Sequence, residues 1–146
     1  MMYPEHMIQP MRQELTRLGV KELKTAAEVQ TTLENAKGTN LLIVNSMCGC
    51  AARNARPAFA MAMANAAKPD VATTVFAGQD AEATARARDF ILGYPPSSPS
   101  IALFKDGDVV FMLERWQIEG RSADAIARDL KSAFDEHCAP HNRTSN

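Results

Sequence analysis

Short continuous apolar runs and longer stretches of helical spacing follow one another along the chain. The runs at residues 40–45 and 71–77 predict two strands, and the first, apolar throughout its middle, is expected to be covered on both faces. The alanine- and methionine-rich segment from 50 to about 67 predicts a helix between them, bent at Pro57. A further helix is predicted at 80–92. This half of the chain therefore has the pattern of a parallel β-α-β unit.

The residues before the first of these strands predict helices that follow an extended lead-in. Residues 1–11 hold two prolines and little periodicity, so we expect them to be mostly extended. Residues 11–18 carry apolar side chains at the spacing of one helical face. Another helix is predicted from Thr25 to about Lys37, because Glu28 stands three residues after Thr25 in the capping-box pattern.

The second half of the chain predicts a hairpin and then a long helix. Residues 94–99 hold three prolines, which exclude a helix or a central strand there. Asp106-Gly107 is a strong hairpin turn, so residues 100–105 and 108–113 are predicted to be antiparallel strands. Ser122 is the predicted cap of the final helix.

Length and charge restrict the classes of function. A chain of 146 residues buries about two-thirds of its unfolded surface, so we expect one domain at 1–138 and a disordered tail at 139–146. The net charge is -1, from 16 basic and 17 acidic residues with no run of one sign. Neither nucleic acid nor an anionic membrane is therefore an expected partner. Without a signal-like start or a membrane-length apolar run, a cytoplasmic protein is expected.

The cysteines provide the candidate chemistry. An odd number of them in a reducing compartment argues against a structural disulfide framework. Cys48 and Cys50 lie where the first buried strand ends and a helix begins, and unpaired N–H groups favour an anion there. The thiolate is the reactive form of cysteine. We expect Cys48, as the first and more exposed cysteine of the motif, to be the nucleophile and Cys50 to be the resolving thiol. Gly49 is expected to let the backbone bend so that the two sulfurs approach. The disulfide across one residue is expected to be strained, which predicts an oxidising or exchange-type catalyst rather than a strong general reductant.

Ionisation of Cys48 near neutral pH needs more than a helix terminus. An unperturbed thiol is about 3% thiolate at pH 7, and lowering its pKa to near 7 requires roughly 2 kcal/mol. An exposed helix terminus contributes about 0.3–1 kcal/mol. Hydrogen bonds from backbone amides, Asn45 or Ser46 are expected to supply the rest. Arg53 and Arg56 are candidates to stabilise the thiolate, the alternative being that both lie solvated on an exposed helix face.

The order of the elements resembles the thioredoxin fold. The cysteines begin the helix after a central strand, and a Ser-Pro pair precedes the hairpin. The resemblance implies an α/β fold with a central mixed four-stranded sheet flanked by helices, and with an N-terminal helical extension. It also implies a cis peptide bond at Ser98-Pro99 beside the cysteines. Ser98 and Pro99, together with Asn45 and Ser46, are the expected substrate-binding residues.

Residues 45–57, Asn-Ser-Met-Cys-Gly-Cys-Ala-Ala-Arg-Asn-Ala-Arg-Pro, resemble the active-site segment of the bacilliredoxin family. That family has Cys-Gly-Cys where thioredoxins have Cys-x-x-Cys. The resemblance covers nearly the whole chain, including Tyr3-Pro4, Ile118-Glu119-Gly120 and the segment up to Cys138. The chain departs from the family at Trp116 and Arg121, around which members often carry histidine. We expect Trp116 to be a packing residue rather than a platform for substrate.

The resemblance implies thiol-disulfide exchange with the low-molecular-weight thiol bacillithiol. Cys48 would attack a mixed disulfide between a client protein and bacillithiol, taking the small thiol onto itself, and Cys50 or free bacillithiol would then remove it. Bacillithiol is the expected co-substrate, bacillithiolated client proteins are the expected partners, and no cofactor is expected. A disulfide isomerase or general thiol-exchange protein is the alternative with the same chemistry.

A zinc- or iron–sulfur-binding protein is the alternative from a different class. His137, Cys138 and His141 lie close together in the sequence and would compose a Cys/His zinc site with Cys48 and Cys50. Cys-x-Cys is an uncommon zinc spacing, however, and the second cluster lies at a helix end beside the predicted tail. We therefore expect no metal and interpret Cys138 as a spectator thiol, the alternative being a regulatory or resolving role.

Overall fold

The computed structural model describes residues 3–139, which form a mixed sheet between two layers of helices. The strands are β1 Lys21–Glu22, β2 Thr39–Asn45, β3 Val71–Phe76, β4 Ser100–Lys105 and β5 Asp108–Leu113. Their order is β1-β3-β2-β4-β5, with β1, β3 and β2 parallel and with β4 antiparallel to both β2 and β5. The prediction of a mixed sheet is confirmed, but its strand count of four is wrong. β1 was missed because a two-residue strand leaves no hydrophobic pattern.

The helices are α1 Glu5–Thr16, α2 Ala26–Leu33, α3 Arg56–Ala62, α4 Ala81–Phe90, α5 Arg115–Ile118 and α6 Ala123–His137. A π-helical segment, Ala51–Ala55, directly precedes α3. The four-residue α5 was not predicted, because it is too short to show a helical repeat. Among residues 3–139, no helix has the length and apolar character needed to cross a membrane.

β2 supplies side chains to hydrophobic clusters on both faces of the sheet. Leu41 and Ile43 pack with residues of α3 and α6, including Phe134. Leu42 and Val44 pack on the other face with residues of α2 and α4. Since successive side chains of a strand point to opposite faces, a continuous apolar run is what a strand in this position requires. All seven residues of β2 are buried, as the sequence pattern predicts.

The extended lead-in predicted for residues 1–11 is wrong, because α1 begins at Glu5 and contains Pro10. Its buried face is formed by Ile8, Arg12 and Leu15, whereas Leu18 is exposed. The Arg12 guanidinium is buried and reaches carboxylates on three elements. Those carboxylates belong to Glu5 (2.8 Å), Glu22 (2.7 Å) and Asp80 (2.7 Å). Because a charged residue interrupts the apolar face, the sequence of this helix lacks the regular apolar spacing that predicts one.

Two predicted helices end earlier than expected. α2 has the predicted capping box at Thr25 but ends at Leu33, and Asn35 takes a positive φ of 59°. The helix predicted from the cysteines to residue 67 ends at Ala62. Its predicted bend takes the form of the π-helical segment, which lies immediately before the first turn of α3 with its proline. A proline has no N–H to donate to the preceding turn, so the wider π spacing is accommodated there.

The hairpin and the last helix follow the prediction. β4 and β5 have the predicted bounds. The turn that joins the two strands consists of Asp106 and Gly107, and each of these residues has a positive φ. Ser122 caps α6 by accepting a hydrogen bond from the N–H of Ala125. The predicted tail at 139–146 lies outside the described residues except for Ala139.

Candidate active site

Cys48 and Cys50 follow the C-terminal end of β2, at the start of the helical segment. Both are free thiols and both are partly buried. The carbonyl oxygen of Cys48 accepts hydrogen bonds from the N–H groups of Ala51 and Ala52, which begin the helical turn. The strand-to-helix junction predicted from the sequence is therefore present, and it holds the Cys48 sulfur close to the first backbone amides of the helix.

Hydrogen bonds to the sulfur lower the pKa of the Cys48 thiol. Burial is the largest single influence and opposes ionisation. The Ser46 hydroxyl, which donates to the sulfur at 3.2 Å, works in the opposite direction with the N–H groups of Ala51 and Cys50 and the charge of Arg115. Together these interactions outweigh the effect of burial, and the pKa of Cys48 falls below its ordinary value. Hydrogen bonds from backbone amides and from Ser46 therefore provide the stabilisation of the thiolate that a helix terminus alone does not.

The Cys50 thiol has the opposite shift. Burial and then the neighbouring Cys48 thiolate raise the pKa of Cys50, with smaller contributions from the carboxylate of Glu119 and a hydrogen bond to Cys48. Arg115 acts against these influences, and its Nη2 lies 3.9 Å from the Cys50 sulfur. The two thiols of one short motif are thus electrostatically unequal.

The peptide bond between Ser98 and Pro99 is cis, as predicted. Ser98 lines a surface cavity of about 300 Å³ that also contains Ser46, Cys48 and Arg115. The carbonyl oxygen of Ser98 accepts a hydrogen bond from Arg115 Nη1 at 3.1 Å. Pro99 is buried behind Ser98. The structure therefore brings the cis bond and the nucleophilic motif to one cavity.

Asn45 and Ser46 shape the segment that leads to Cys48. The Asn45 side chain is 1% exposed, and its Oδ1 accepts hydrogen bonds from the Ser46 N–H and Arg56 Nη1. Arg56 is also buried, pairs with Glu14 at 3.0 Å and donates to the Ser46 carbonyl. The alternative that Arg56 lies solvated on an exposed helix face is therefore wrong. An arginine that closes an interior hydrogen-bond network has no distinguishing mark in the sequence.

Arg53 is exposed on the π-helical segment. Its guanidinium lies over Gly49, where an added Cβ would meet Nη2 at 2.7 Å. The cation that lowers the pKa of Cys48 is Arg115, on α5, and not Arg53. Gly49 does not have a positive φ, so its conformation does not require glycine. The expectation that Gly49 lets the two sulfurs approach stays a prediction.

Cys138 lies far from the other two cysteines. It shares a cavity with Thr39, which begins β2, whereas Cys48 follows the end of that strand. A seven-residue strand is about 20 Å long, so the zinc site proposed from Cys48, Cys50, His137 and Cys138 is wrong. His141 lies outside the described residues. Within residues 3–139 no three His, Cys, Asp or Glu side chains lie together as metal ligands would.

The environment of Trp116 differs from the prediction, and Arg115 is a site residue that the sequence analysis did not identify. Trp116 is 71% exposed, so the expectation that it packs in the interior is wrong. Arg115 follows β5 and meets the cysteines from a position 65 residues away from Cys50. No local signal identifies such a residue, because only the folded chain brings it beside the cysteines.

The arrangement provides a thiol of lowered pKa, a second thiol beside it and a cavity at their surface. A thiolate attacks disulfide sulfur, and a neighbouring thiol can displace the group that becomes attached. The geometry therefore fits disulfide exchange.

Comparison with known proteins identifies the family. A model of the disulphide isomerase family matches residues 3–138. The chain is 56% identical over 140 residues to a bacilliredoxin of Salinibacter ruber, covering 94% of this chain and 82% of the relative. It is 52% identical over 137 residues to a bacilliredoxin of Bacillus licheniformis, covering 93% of this chain and 95% of the relative.

Solved structures confirm the fold. The X-ray structure of Fasciola hepatica thioredoxin matches with a TM-score of 0.53 and 18% identity, covering 81% of this chain and 99% of that chain. The thioredoxin of Malassezia sympodialis matches with a TM-score of 0.54 and 14% identity, covering 82% and 91%. The predicted thioredoxin-like class is thereby confirmed. The chain belongs to the bacilliredoxin family and is a thiol-disulfide oxidoreductase of the thioredoxin fold.

Proposed function

We propose that this protein removes bacillithiol from mixed disulfides on client proteins. Cys48 is the nucleophile and Cys50 the resolving thiol. The opposite pKa shifts of the two thiols are the observation that supports this assignment most strongly. The names of the relatives support the identity of the small thiol. No cofactor enters the reaction, and bacillithiol is a co-substrate.

The reaction consists of two exchanges. The Cys48 thiolate attacks the bacillithiol sulfur of the mixed disulfide, and the client leaves as a thiolate that takes a proton from solvent. Cys50 then loses its proton and attacks the Cys48 sulfur, which releases bacillithiol and forms a disulfide between Cys48 and Cys50. Alternatively, a free bacillithiol thiolate attacks the bacillithiol sulfur of the adduct, which releases bacillithiol disulfide and regenerates the Cys48 thiolate. The cycle requires a reducing compartment, and we assign the protein to the cytoplasm.

The surrounding residues have separate roles in this proposal. Ser46 donates to the Cys48 thiolate, and Asn45 orients Ser46 from the interior. Ser98 lines the cavity that also contains Cys48, and the client chain would lie along it, while the buried Pro99 fixes the cis turn that presents Ser98. Arg53, exposed next to Gly49, is placed to meet acidic groups of the client or of the small thiol.

The direct test uses a client protein with one cysteine, carried as a bacillithiol mixed disulfide. Reduced protein is added, and the client and the enzyme are both followed by intact mass. Cys48→Ala is expected to abolish removal of the small thiol. Cys50→Ala is expected to accumulate bacillithiol on Cys48, because the resolving step is missing. Full activity of Cys48→Ala would overturn the assignment of the nucleophile.

The identity of the small thiol is tested with matched clients. The same cysteine is loaded with bacillithiol, glutathione or free cysteine, and the initial rates are compared. A preference for the bacillithiol client is expected. Equal rates on all three would refute the specificity and leave a general exchange protein.

Disulfide isomerisation is the second candidate, favoured by the description of the family model that matches the chain. An isomerase needs a client with several cysteines and needs only the attacking thiol. Two rates are compared: the reactivation of a scrambled multi-disulfide client and the removal of bacillithiol from the single-cysteine client. The reactivation is expected to be slower. The reverse order of rates would make isomerisation the principal function.

A further inference from the structure

The Arg115 guanidinium is held by the cis-proline turn and by Glu119, and it also reaches the cysteine motif. Its Nη1 donates to the carbonyl oxygen of Ser98 at 3.1 Å, and its Nη2 lies 3.6 Å from the carboxylate of Glu119. Its backbone N–H donates to the Ser97 hydroxyl. The same Nη2 lies 3.9 Å from the Cys50 sulfur. One guanidinium therefore links the cis-proline turn, α5 and the cysteine motif.

Arg115 can stabilise a negative charge on either sulfur, and the two sulfurs carry that charge at different steps of the reaction. Before attack, Cys48 holds the negative charge, and that charge opposes the ionisation of Cys50. The charge of the Cys48 thiolate is also the main cause of the raised pKa of Arg115. Once Cys48 becomes part of a disulfide, its charge is gone. The charges that then act on Cys50 are those of Arg115 and Glu119.

We propose that Arg115 is a positioning residue that serves the two sulfurs in turn. It lies beside the Cys48 thiolate before the first exchange, and it stabilises the Cys50 thiolate after Cys48 has become a mixed disulfide. Cys50 is thus held protonated until there is an adduct for it to resolve. This inference rests on the proposed roles of Cys48 and Cys50 and adds the cation that stabilises each thiolate in turn.

The step in question is an ordinary displacement. The Cys50 thiol gives its proton to solvent, its sulfur forms a bond to the Cys48 sulfur, and the bond between Cys48 and the attached thiol breaks. The leaving thiol departs as a thiolate and takes up a proton. The attached thiol is reduced, the pair of cysteines is oxidised, and no other reagent is required.

Ellman's reagent separates the two steps in one stopped-flow trace, in a Cys138→Ser background. Attack by Cys48 releases a first thionitrobenzoate at a rate proportional to the reagent concentration. Displacement by Cys50 releases the second at a rate independent of the reagent. Arg115→Gln is expected to slow the second phase about fivefold at neutral pH. The second-phase rates of the parent protein and of Arg115→Gln should become equal at a pH where Cys50 is ionised in both.

Matched variants distinguish charge from shape. Arg115→Lys retains the charge and is expected to recover most of the second phase, whereas Arg86→Gln, which removes an arginine on α4 that pairs with Asp89, should have no effect. Equal slowing at every pH, or failure of lysine to rescue, would overturn the electrostatic role of Arg115. An unchanged second phase in Arg115→Gln would overturn the inference while leaving the proposed function intact. A first phase that persists in Cys48→Ala would instead overturn the proposed function.

The order of ionisation has its own readout. Cys48→Ser removes the neighbouring charge, so Cys50 is expected to be alkylated by iodoacetamide about threefold faster at neutral pH than it is in the parent protein. Adding Arg115→Gln should cancel this gain. Mass mapping of the alkylated peptide assigns the reaction to Cys50. No gain in Cys48→Ser would mean that Cys48 does not hold Cys50 protonated.

Discussion

Two cysteines separated by one glycine differ in chemistry because of the atoms around each sulfur. Cys48 accepts hydrogen bonds from the Ser46 hydroxyl and from backbone N–H groups, whereas Cys50 faces the Cys48 thiolate and the carboxylate of Glu119. The motif and Ser46 could be predicted from the sequence because their proximity is local. Arg115 could not, since only the folded chain brings it to the cysteines.

The Ser46 hydroxyl is expected to set a measurable part of the Cys48 reactivity. Its O–H favours the charged form of the thiol, so Ser46→Ala should raise the pKa of Cys48. Alkylation at neutral pH is then expected to slow roughly three- to tenfold, with rates that converge at a pH above the pKa of both proteins. Ser132→Ala, at an exposed position of α6, is the control. An unchanged pH profile in Ser46→Ala would contradict the assigned hydrogen bond.

At the scale of elements, the sequence predicts strands better than helix ends. The bounds of β4 and β5 follow from a turn between them and from continuous or alternating apolar residues, which are local signals. On the buried face of α1 lies Arg12, whose carboxylate partners are 7, 10 and 68 residues away. The π-helical segment likewise depends on how the chain passes from β2 into α3. Helix ends that rest on distant contacts are not visible in a local pattern.

Arg12 is expected to hold α1, β1 and the start of α4 together. Arg12→Met leaves the carboxylates of Glu22 and Asp80, both mostly buried, without their cation. The free energy of unfolding should fall by roughly 3–5 kcal/mol, as measured by urea denaturation. Arg86→Met breaks an exposed ion pair and should cost less than about 1 kcal/mol. Similar losses in the two variants would contradict the assigned role of Arg12.

The Arg12 cluster also predicts a pH dependence. The hydrogen bond from Arg12 lowers the pKa of Glu5 below its ordinary value. A carboxyl with a lowered pKa stabilises the folded state above its unfolded pKa, and that stability is lost as the pH falls through its folded pKa. The parent protein should therefore lose stability on acidification more steeply than Arg12→Met does. Parallel stability curves for the two proteins in this acid range would show that the Arg12–Glu5 pair is not coupled to folding.

At the scale of the whole molecule, the sheet separates two thiol environments. Cys48 and Cys50 lie beyond the C-terminal end of β2, and Cys138 lies beside its first residue. Burial raises the pKa of Cys138, which makes it less reactive. Sequence proximity to His137 suggested metal binding, but only the fold shows which cysteines can meet.

Cys138 is therefore expected to take no part in the exchange. Cys138→Ser should leave the rate of bacillithiol removal unchanged, because about 20 Å of strand separates it from Cys48. The rate is measured on the same single-cysteine client as for the parent. A several-fold loss of activity would contradict the spectator role and point to a resolving thiol at the other end of the sheet.

The central claim is that the fold makes Cys48 the thiol that ionises first. Differential alkylation across a pH series, with each cysteine quantified by peptide mass, measures this for both residues in one protein. The account predicts that Cys48 titrates at a lower pH than Cys50 and below the ordinary value of a cysteine. Titration of Cys50 before Cys48 would contradict the assignment of nucleophile and resolving thiol.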